Sequence, residues 1–536
     1  MLPQGAACTG SAGIRVIRAV RAGRRRNLTG NIGVSSLHLR RRVAGRSVLA
    51  SPARLGQDRR AQQEGPKMEL IRRDALELSQ MLDRGEVSTT EVMQAALDRI
   101  AAVNGQINAI TCLRDPDALL AEARAAETAA RPSFLAGLPV AVKDLANVAG
   151  LPNSQGSLIF RDAISATDDL AIGRMRAAGA LFIGKTNVPE FGLGSHSVNP
   201  VHGGTTNPHA PGRSAGGSSG GAAAALAAGM QWVCDGSDMM GSLRNPAGWC
   251  NVYGFRPTWG RVPAEPVGDV FLHQLSTLGP MARNVRDLTA LLDVMAGHDP
   301  RQPLSLDHQP MLPRLEADVT GRRIGWLGDW GGAYPMEAGV MEHCAAALST
   351  FADMGCVVEE VAPPMPAADL WDSWRILRAF ANAARLGALH DDPARRALMK
   401  PDAIWEVEQG KAVSVAEVQR ASALRSEWHG VTEQLFDRYD ALVLPTAQVW
   451  PFAMDDWPNQ IAGRAMDTYH RWMEVVIPAS LTGLPALAVP AGFGPGGLPM
   501  GLQIIGRRRA DLGVLQLGEA WHQATGWPQR AWPDLG

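Results

Sequence analysis

A loop composed almost entirely of glycine and serine, Ser214-Ala-Gly-Gly-Ser-Ser-Gly-Gly221, is the first candidate for chemistry in this chain. Its glycines leave the backbone unshielded and free to adopt positive φ, so N–H groups and the Ser218 and Ser219 hydroxyls can approach a substrate closely. An alanine-rich segment up to Gly229 follows at once and predicts a helix, whose N-terminus adds a positive dipole end. The loop therefore indicates nucleophilic or anion-binding chemistry.

Other interpretations of this loop are open. A flexible linker would not lead directly into a helix, and a phosphate-binding P-loop needs a lysine where four alanines follow Gly221. Gly216-Gly-Ser-Ser-Gly220 also fits the G-x-S-x-G nucleophile elbow, which would make Ser218 the nucleophile of an α/β-hydrolase-type esterase. An elbow follows a buried strand, whereas residues 206–213 contain two prolines and no apolar run. The candidate bases for that esterase are His429, His470 and His522.

Two further stretches carry reactive residue types. Asp235-Gly-Ser-Asp-Met-Met-Gly-Ser-Leu-Arg244 contains a second candidate nucleophile, Ser242, directly after a glycine. Gly137-Leu-Pro-Val-Ala-Val-Lys-Asp144 places Lys143 at the end of an apolar run that predicts a buried strand. A lysine at a strand end is ordinarily solvated, so Lys143 taken alone indicates no chemistry.

In this order, the three stretches resemble the amidase signature family. That family's pattern is a strand-end Lys-Asp, then G-G-S-S-G-G, then G-[ST]-D-x-x-G-S-[IL]-R, and the resemblance covers residues 68–525. The steps of 75 residues from Lys143 to Ser218 and 24 residues from Ser218 to Ser242 suit the family. The resemblance implies a serine amidase with Ser242 as nucleophile, Ser218 as a bridging serine held by a cis peptide, and Lys143 as base.

The resemblance also implies an oxyanion hole of backbone N–H groups and a set of supporting residues. The oxyanion donors would be Met239, Met240, Gly241 and Ser242, and the residues that bind substrate or support the loop would be Ser219, Asp238 and Arg244. Two roles stay open for Arg244, because a guanidinium matches a substrate carboxylate as well as it matches a structural partner such as Asp238.

Met240 departs from the family pattern, which usually has glycine at this position. If the position required positive φ, methionine there would cost about 1–2 kcal/mol. We therefore expect either negative φ at Met240 or a differently built oxyanion loop. The methionine side chain would also narrow the acyl pocket.

The proton relay implied by the resemblance is chemically coherent. A serine hydroxyl needs a base within hydrogen-bond reach at neutral pH. Lysine serves only when neutral, so the pKa of Lys143, ~10.4 when free, must fall by desolvation. The apolar run at residues 139–142 supplies that setting. Lys143 would take a proton from Ser218 while Ser218 takes one from Ser242, and neither a metal nor a cofactor is needed.

Hydrophobic patterning predicts the elements that hold these residues. Ser88-Thr-Thr-Glu91 predicts a capping box, and the apolar residues that follow recur at helical spacing. Further helices are predicted over 118–130 and 170–178. Short apolar runs predict buried strands that begin at Pro139, Ala180, Ile324, Val357, Ala441, Ala486 and Leu502.

The alternation of strands and helices predicts an α/β fold. We expect a single large amidase-signature domain over 68–536, with a mixed, mostly parallel central sheet covered by helices on both faces. Residues 300–435 are richer in proline and tryptophan and less regular, which predicts a variable peripheral or lid region.

Residues 1–67 differ from the rest of the chain in charge. They contain thirteen arginines and one lysine against two acidic residues, a net charge of +12 within a chain of net charge −1. A transit peptide and a nucleic-acid-binding arm would both explain this composition. We favour translation from Met68, where protein-like patterning begins, and expect residues 1–67 to be a disordered extension that is not translated or is cleaved.

Composition limits the partners further. The six cysteines are scattered without a C-x-x-C pair, which favours reduced thiols in the cytoplasm and argues against zinc. No apolar run is long enough to cross a membrane, and the near-zero net charge gives no general argument for nucleic acid. The expected partners are therefore a small-molecule amide substrate and a second copy of the chain in a homodimer.

The sequence thus predicts a stand-alone amidase that forms a serine acyl-enzyme. The nearest alternative is the glutaminase component of a tRNA-dependent amidotransferase, which would release ammonia for a partner protein. Another alternative is an inactive scaffold that retains the fold. The tryptophans of the variable region make an aromatic or apolar acyl pocket reasonable, but the sequence leaves the substrate open.

Overall fold

The computed structural model describes residues 66–535. The predictions made for residues 1–65 lie outside this range, and residues 66 and 67 begin the first helix. The helices in chain order are α1 Pro66–Arg72, α2 Ala75–Asp83, α3 Thr89–Ile107, α4 Pro116–Ala126, α5 Leu170–Ala177, α6 Gly220–Ala227, α7 Arg244–Trp249, α8 Val285–Met295, α9 Val340–Ala347, α10 Ser349–Asp353, α11 Ala367–His390, α12 Pro393–Arg396, α13 Pro401–Ala412, α14 Val415–Phe436, α15 Ile477–Leu481, α16 Asp511–Thr525 and α17 Trp527–Arg530.

Local sequence signals set the ends of several helices. The Ser88 hydroxyl accepts from the Glu91 N–H and the Glu91 carboxylate accepts from the Ser88 N–H, so the predicted capping box begins α3. Asp115 caps α4, and Pro116 follows it at a position that needs no N–H partner. These helices agree with the patterning of the sequence to within a few residues.

The strands in chain order include seven that begin within two or three residues of the predicted positions. They are β1 Ile110–Thr111, β2 Pro139–Lys143, β3 Leu181–Thr186, β4 Val198–Asn199, β5 Gly203–Gly204, β6 Thr206–Asn207, β7 Ala210–Ser214, β8 Val233–Asp238, β9 Tyr253–Arg256, β10 Thr277–Ala282, β11 Arg323–Trp326, β12 Val357–Glu360, β13 Ala441–Pro445, β14 Gln460–Ile461, β15 Arg464–Ala465, β16 Ala486–Phe493 and β17 Pro499–Ile505.

A mixed sheet of eight strands forms the centre of the fold, in the order β12-β11-β13-β17-β16-β9-β10-β8. Its parallel pairs are confined to one edge, where β11 lies between β12 and β13, and the other five pairs are antiparallel. Parallel pairing is therefore less extensive than the sequence predicted. The reason is visible at β16 and β17, which are joined by a short Gly- and Pro-rich turn rather than by a crossover helix.

Three strands of the central sheet were not predicted, namely β8, β9 and β10. Each contains glycine, proline or charged residues that depart from an apolar strand pattern. The glycines are required by close packing, because a Cβ on Gly279 would lie 2.1 Å from the Phe255 carbonyl oxygen. Packing between strands, which a single strand's sequence does not reveal, therefore selected these residues.

The segment 300–435, predicted as peripheral, divides into two parts. Its strands β11 and β12 belong to the central sheet and pair in parallel with their neighbours. Its long helices α11, α13 and α14 pack on one another beside the sheet, and α11 reaches the cavity described below. The irregular composition of this segment thus conceals two sheet strands.

A small three-stranded sheet, ordered β1-β3-β2, lies beside β8 and carries Lys143 at the end of β2. The backbone N–H of Lys143 donates to the Asp235 carboxylate on β8 at 2.9 Å, which fixes the end of β2 against that strand. Helix α6 is buried along its whole length and packs against both β2 and β8. The glycine-serine loop and the lysine therefore meet at β8.

Membrane and thiol features are simple in the described part of the chain. Among residues 66–535, no helix is both long enough and apolar enough to cross a membrane. The five cysteines in this range are free thiols, and four of them are buried.

Candidate active site

Lys143 lies in a buried cluster of serine hydroxyls and is 1% exposed. Its Nζ is 2.9 Å from Ser218 Oγ, 2.7 Å from Ser219 Oγ and 2.9 Å from Ser237 Oγ. A neutral amine has two N–H donors and one lone pair, so it can donate to two of these hydroxyls and accept from the third. The contact between Lys143 and Ser218 that a proton relay needs is present.

The surroundings of Lys143 favour its neutral form. Burial lowers the pKa of Lys143 to about 7, and the charges of Asp235 and Asp238 only partly oppose that shift. A substantial fraction of this amine is therefore neutral at physiological pH. Such a pKa suits a general base, because the base is free and still basic enough to accept a proton.

The glycine-serine loop is held in place by main-chain and serine contacts. The peptide bond between Gly217 and Ser218 is cis, as the family resemblance implied. The Ser195 hydroxyl donates to the Gly217 carbonyl at 2.8 Å, and the Ser219 N–H donates to the Ser242 carbonyl at 3.2 Å. These bonds join the loop to the segment that contains the second candidate nucleophile.

Ser242 borders the same cavity as Ser218, and the two residues are 7% and 3% exposed. Within the described chain, the Ser242 hydroxyl forms no hydrogen bond, to Ser218 or to any other residue. The second link of the relay is thus open in this structure, and both hydroxyls face a common space of about 140 Å³. Catalytic hydrogen bonds are often long before substrate binds.

The loop before Ser242 offers backbone donors to that space. The N–H groups of Met239, Met240 and Ser242 donate no hydrogen bond to any residue in the described range. The Gly241 N–H differs, because it donates to the Asp238 carboxylate at 2.9 Å. Of the four donors that the resemblance implied, Gly241 is therefore already used inside the protein.

Asp238 and Arg244 form a buried network beneath this loop. The Asp238 carboxylate accepts from the N–H groups of Gly241 and Leu243 and from the guanidinium groups of Arg244 and Arg256. Burial opposes its ionisation, but the charges of Arg244 and Arg256 outweigh burial and hold the pKa of Asp238 below its usual range. Asp238 is thus an ionised brace for the loop.

Every N–H edge of Arg244 is occupied within the protein. Its Nε and Nη2 donate to Asp238 at 3.0 and 3.1 Å, Nη2 also reaches Ser480, and Nη1 donates to the Val476 carbonyl and the Gln503 side chain. The residue is fully buried. Of the two roles left open by the sequence, this geometry supports loop bracing and leaves no donor for a substrate carboxylate.

We expect Arg244→Gln to destabilise the protein strongly. Removing one partner of a buried ion pair leaves the Asp238 charge less compensated, which typically costs about 3–5 kcal/mol. The melting temperature should fall, and kcat should fall for every substrate, because the loop loses its brace. Calorimetry and steady-state kinetics on several amides would measure both effects.

The matched control for this change is Arg286→Gln. Arg286 pairs with Glu316 at the surface, with 45% and 72% of the side chains exposed, so its loss should cost at most about 1 kcal/mol. If Arg244→Gln is no more destabilising than this control, or impairs only substrates that carry a carboxylate, the bracing role is wrong.

Met240 is accommodated without left-handed backbone. The non-glycine residues with positive φ in the described range do not include Met240, whereas Gly241 has φ +78°. The first of the two expectations from sequence is thereby met. The Met240 side chain is 2% exposed and borders the cavity, so it reduces the space available to an acyl group.

We expect Met240→Gly to change substrate choice more than rate. The kcat/KM for a small amide should stay within about tenfold, since Met240 does not hold the backbone in an unusual conformation, while bulkier acyl groups should gain. Met473→Ala is the control, because Met473 borders the same cavity from outside the loop. A thousandfold fall in kcat/KM for Met240→Gly alone would show that the loop depends on this side chain.

The histidines of the esterase alternative lie away from Ser218. His522 contacts the Tyr253 hydroxyl at 3.1 Å, His470 is buried among the rings of Trp371, Trp405 and Tyr469, and His429 borders a separate cavity. The strand before the loop, β7, belongs to a two-stranded ribbon and not to the central sheet. Neither requirement of a nucleophile elbow is met.

Sequence reasoning missed several residues around the cavity. Ser237 contacts Lys143 Nζ, and Asp235 holds the Lys143 backbone; both lie in the quoted Asp235–Arg244 motif but were given no role. Arg378 and Arg385 of α11 also border the cavity, and no local signal identified them. Within residues 66–535, no group of three or more His, Cys, Asp or Glu side chains is arranged to hold a metal ion.

Comparison with known proteins adds independent information. The family model described as Amidase matches residues 91–515. An acylamidase of Rhodococcus erythropolis is 32% identical over 85% of this chain and 96% of the relative, and the GatA-type component of the glutamyl-tRNA(Gln) amidotransferase of Thermus thermophilus is 36% identical over 84% and 97%. The crystal structure of a bacterial aryl acylamidase of the amidase signature enzymes superimposes with a TM-score of 0.80 at 30% identity, covering 85% of this chain and 97% of that one.

Proposed function

The chain belongs to the amidase signature family, whose members hydrolyse carboxylic amides, and from that premise we propose that Ser242, Ser218 and Lys143 carry out the reaction. The amide is cleaved to a carboxylate and to ammonia or an amine through an acyl-enzyme on Ser242. The observation that carries the proposal is the 2.9 Å contact between a buried, partly neutral lysine and Ser218 at the edge of the cavity that Ser242 shares.

Acylation begins with proton transfer along the relay. The Lys143 amine accepts the Ser218 proton while Ser218 accepts the Ser242 proton, so Ser242 Oγ becomes nucleophilic as it attacks the amide carbon. This step needs the open link to close, which requires the Ser242 hydroxyl to turn toward Ser218 when substrate fills the cavity. The hydrogen bonds of Lys143 to Ser219 and Ser237 keep the amine aimed at the loop.

The tetrahedral intermediate is stabilised by backbone donors. We propose the N–H groups of Met239, Met240 and Ser242 as the oxyanion hole, because these are unpaired, and we propose Gly241 as a support anchored on Asp238. Each such donor typically contributes about 3 kcal/mol to transition-state stabilisation. Preorganisation by the Asp238 network means that little energy is lost to reorganisation during the reaction.

The relay then runs in reverse. Protonated Lys143 returns a proton through Ser218 to the leaving nitrogen, and the C–N bond breaks. Water takes the place of the amine, loses a proton to the same relay and attacks the acyl-enzyme, which releases the carboxylate and restores the Ser242 hydroxyl. Ser219 and Arg244 act as supports rather than as reacting groups.

The first experiment is covalent labelling combined with an amide panel. A fluorophosphonate should label the protein, with the adduct located by peptide mass spectrometry on Ser242, and at least one aryl amide or small carboxamide should be hydrolysed. An inactive scaffold would neither label nor turn over. An adduct on Ser218 would support the esterase alternative instead.

A second candidate function is the glutaminase component of a tRNA-dependent amidotransferase. The observation in its favour is the 36% identity to such a component, similar to the identity with the acylamidase. The bulky Met240 favours the stand-alone amidase. Glutaminase activity that rises when the other amidotransferase components and Glu-tRNA are added would decide for the amidotransferase.

We also propose a homodimer in the cytoplasm. The free thiols of the described residues support a reducing compartment. Light scattering of the purified protein would measure the mass of the assembly, and a single-chain mass would exclude the dimer.

A further inference from the structure

Two guanidinium groups border the cavity that contains Ser242, and the amide chemistry uses neither. Arg378 and Arg385 lie seven residues apart on α11, which is two helical turns, so both point from one face of the helix. Their charges differ in how they are balanced by the protein.

Arg378 is neutralised by a dedicated acid. Its Nε donates to Glu406 at 2.6 Å, and its Nη2 donates to the Tyr469 hydroxyl at 2.7 Å. Its Nη1 contacts the Met239 sulfur at 3.7 Å, so this ion pair packs against the oxyanion loop. Arg378 is 3% exposed and acts as a supporting residue.

Arg385 has no such acid. In the described range no carboxylate lies within ion-pair distance of it, and its only hydrogen bonds run from Nη2 to the Phe191 carbonyl at 3.1 Å and to the Asn382 side chain at 3.4 Å. The N–H groups on Nε and Nη1 are unpaired. The residue is exposed although protein surrounds it, because its side chain borders the cavity.

The cavity around Arg385 contains nothing to balance its charge. The described residues that border the cavity are apolar side chains, glycines, serines and the two arginines, without an acid among them. Burial and the nearby charge of Arg378 lower the pKa of Arg385 to about 10, which still leaves it protonated at neutral pH. An uncompensated cation in a confined, partly apolar space is unfavourable until an anion joins it.

We propose that Arg385 binds a carboxylate of the substrate, so that the substrate class is amides that carry a second, anionic carboxylate group. This inference rests on the proposed function. A guanidinium with unpaired N–H donors matches a carboxylate in charge and in geometry. Because Lys143 is largely neutral and Arg378 is paired, Arg385 is the cation that directs the carboxylate away from the nucleophile and leaves the amide carbon for Ser242.

The test uses two substrate pairs that differ only in a carboxylate. N-phenylsuccinamate is compared with butyranilide, which places the charge on the acyl side, and 4-acetamidobenzoate is compared with acetanilide, which places it on the amine side. The wild-type protein should prefer the charged member of at least one pair by tenfold or more in kcat/KM. Arg385→Gln should lower kcat/KM for that member by about 10- to 100-fold, as expected for a lost charge-assisted hydrogen bond, and leave the neutral member within threefold.

Two further variants separate charge recognition from support. Arg385→Lys should retain part of the preference, because the charge remains while the paired donors are lost. Arg375→Gln removes an equal charge from the same helix, outside the cavity lining, and should change neither pair. An equal loss on charged and neutral members in Arg385→Gln would overturn the inference, because that is the effect of merely losing the bond to the Phe191 carbonyl.

The remaining outcomes distinguish this inference from the proposed function. Hydrolysis of neutral anilides without preference for a carboxylate in either pair would overturn the inference and leave the amidase proposal standing. No hydrolysis of any amide, together with no fluorophosphonate adduct on Ser242, would overturn both.

Discussion

Ser242→Ala is expected to lower kcat for amide hydrolysis by about 10⁴-fold or more and to abolish fluorophosphonate labelling. Without Oγ of Ser242 no acyl-enzyme can form, and the residual rate then depends on binding and on the oxyanion donors alone. Melting temperature and substrate KM should change little, because the Ser242 side chain makes no hydrogen bond to a described residue that its loss would break.

Ser218→Ala is the matched comparison, since it removes one hydroxyl of the same size from the same cavity. Its kcat should fall by about 10²–10⁴-fold, the range expected when general-base assistance is lost. Slow labelling of Ser242 should persist in this variant, because the nucleophile is still present. The reverse pattern, with full activity in Ser242→Ala and none in Ser218→Ala, would establish Ser218 as the nucleophile and end the relay proposal.

The geometry of the relay could be predicted only in part from the sequence. Lys143 and Ser218 are 75 residues apart, yet their contact was expected from the motifs, because each motif specifies a local structure whose end faces β8. The resemblance did not specify the rotamer of Ser242, which depends on whether substrate occupies the cavity. It also assigned the Gly241 N–H to the oxyanion, whereas the buried Asp238 carboxylate takes that donor.

Arg385 shows a different limit. Helix α11 buries apolar residues on several faces, so its sequence does not reveal which arginine faces a cavity. The decisive information is tertiary, because Glu406 on α13 pairs with Arg378 and leaves Arg385 unpaired. A contrasting case is the antiparallel pair of β16 and β17, where the Gly- and Pro-rich residues between the strands were sufficient to predict a hairpin and were overlooked.

The pH dependence of the reaction should report Lys143 directly. Below its pKa of about 7 the amine is protonated and cannot accept from Ser218, so kcat/KM should rise about tenfold per pH unit up to pH 7 and level off above it. The sign follows from burial, which disfavours the charged form and therefore extends the active range to lower pH than a solvated lysine would allow.

Lys143→Met should lower kcat/KM by about 10³–10⁴-fold at pH 8 and remove the inflection near pH 7. The substitution keeps a long side chain in the buried site, and circular dichroism would verify that the variant is folded. Rates measured from pH 5.5 to 9.5 with an amide that does not titrate in this range provide the comparison with wild type. An inflection near pH 7 that survives in Lys143→Met would belong to another group, such as a histidine, and Lys143 would then not be the base. Loss of the inflection together with retained labelling of Ser242 at high pH would place the proton acceptor at the amine and the nucleophile at the hydroxyl, which is the division of roles that the buried contact with Ser218 requires.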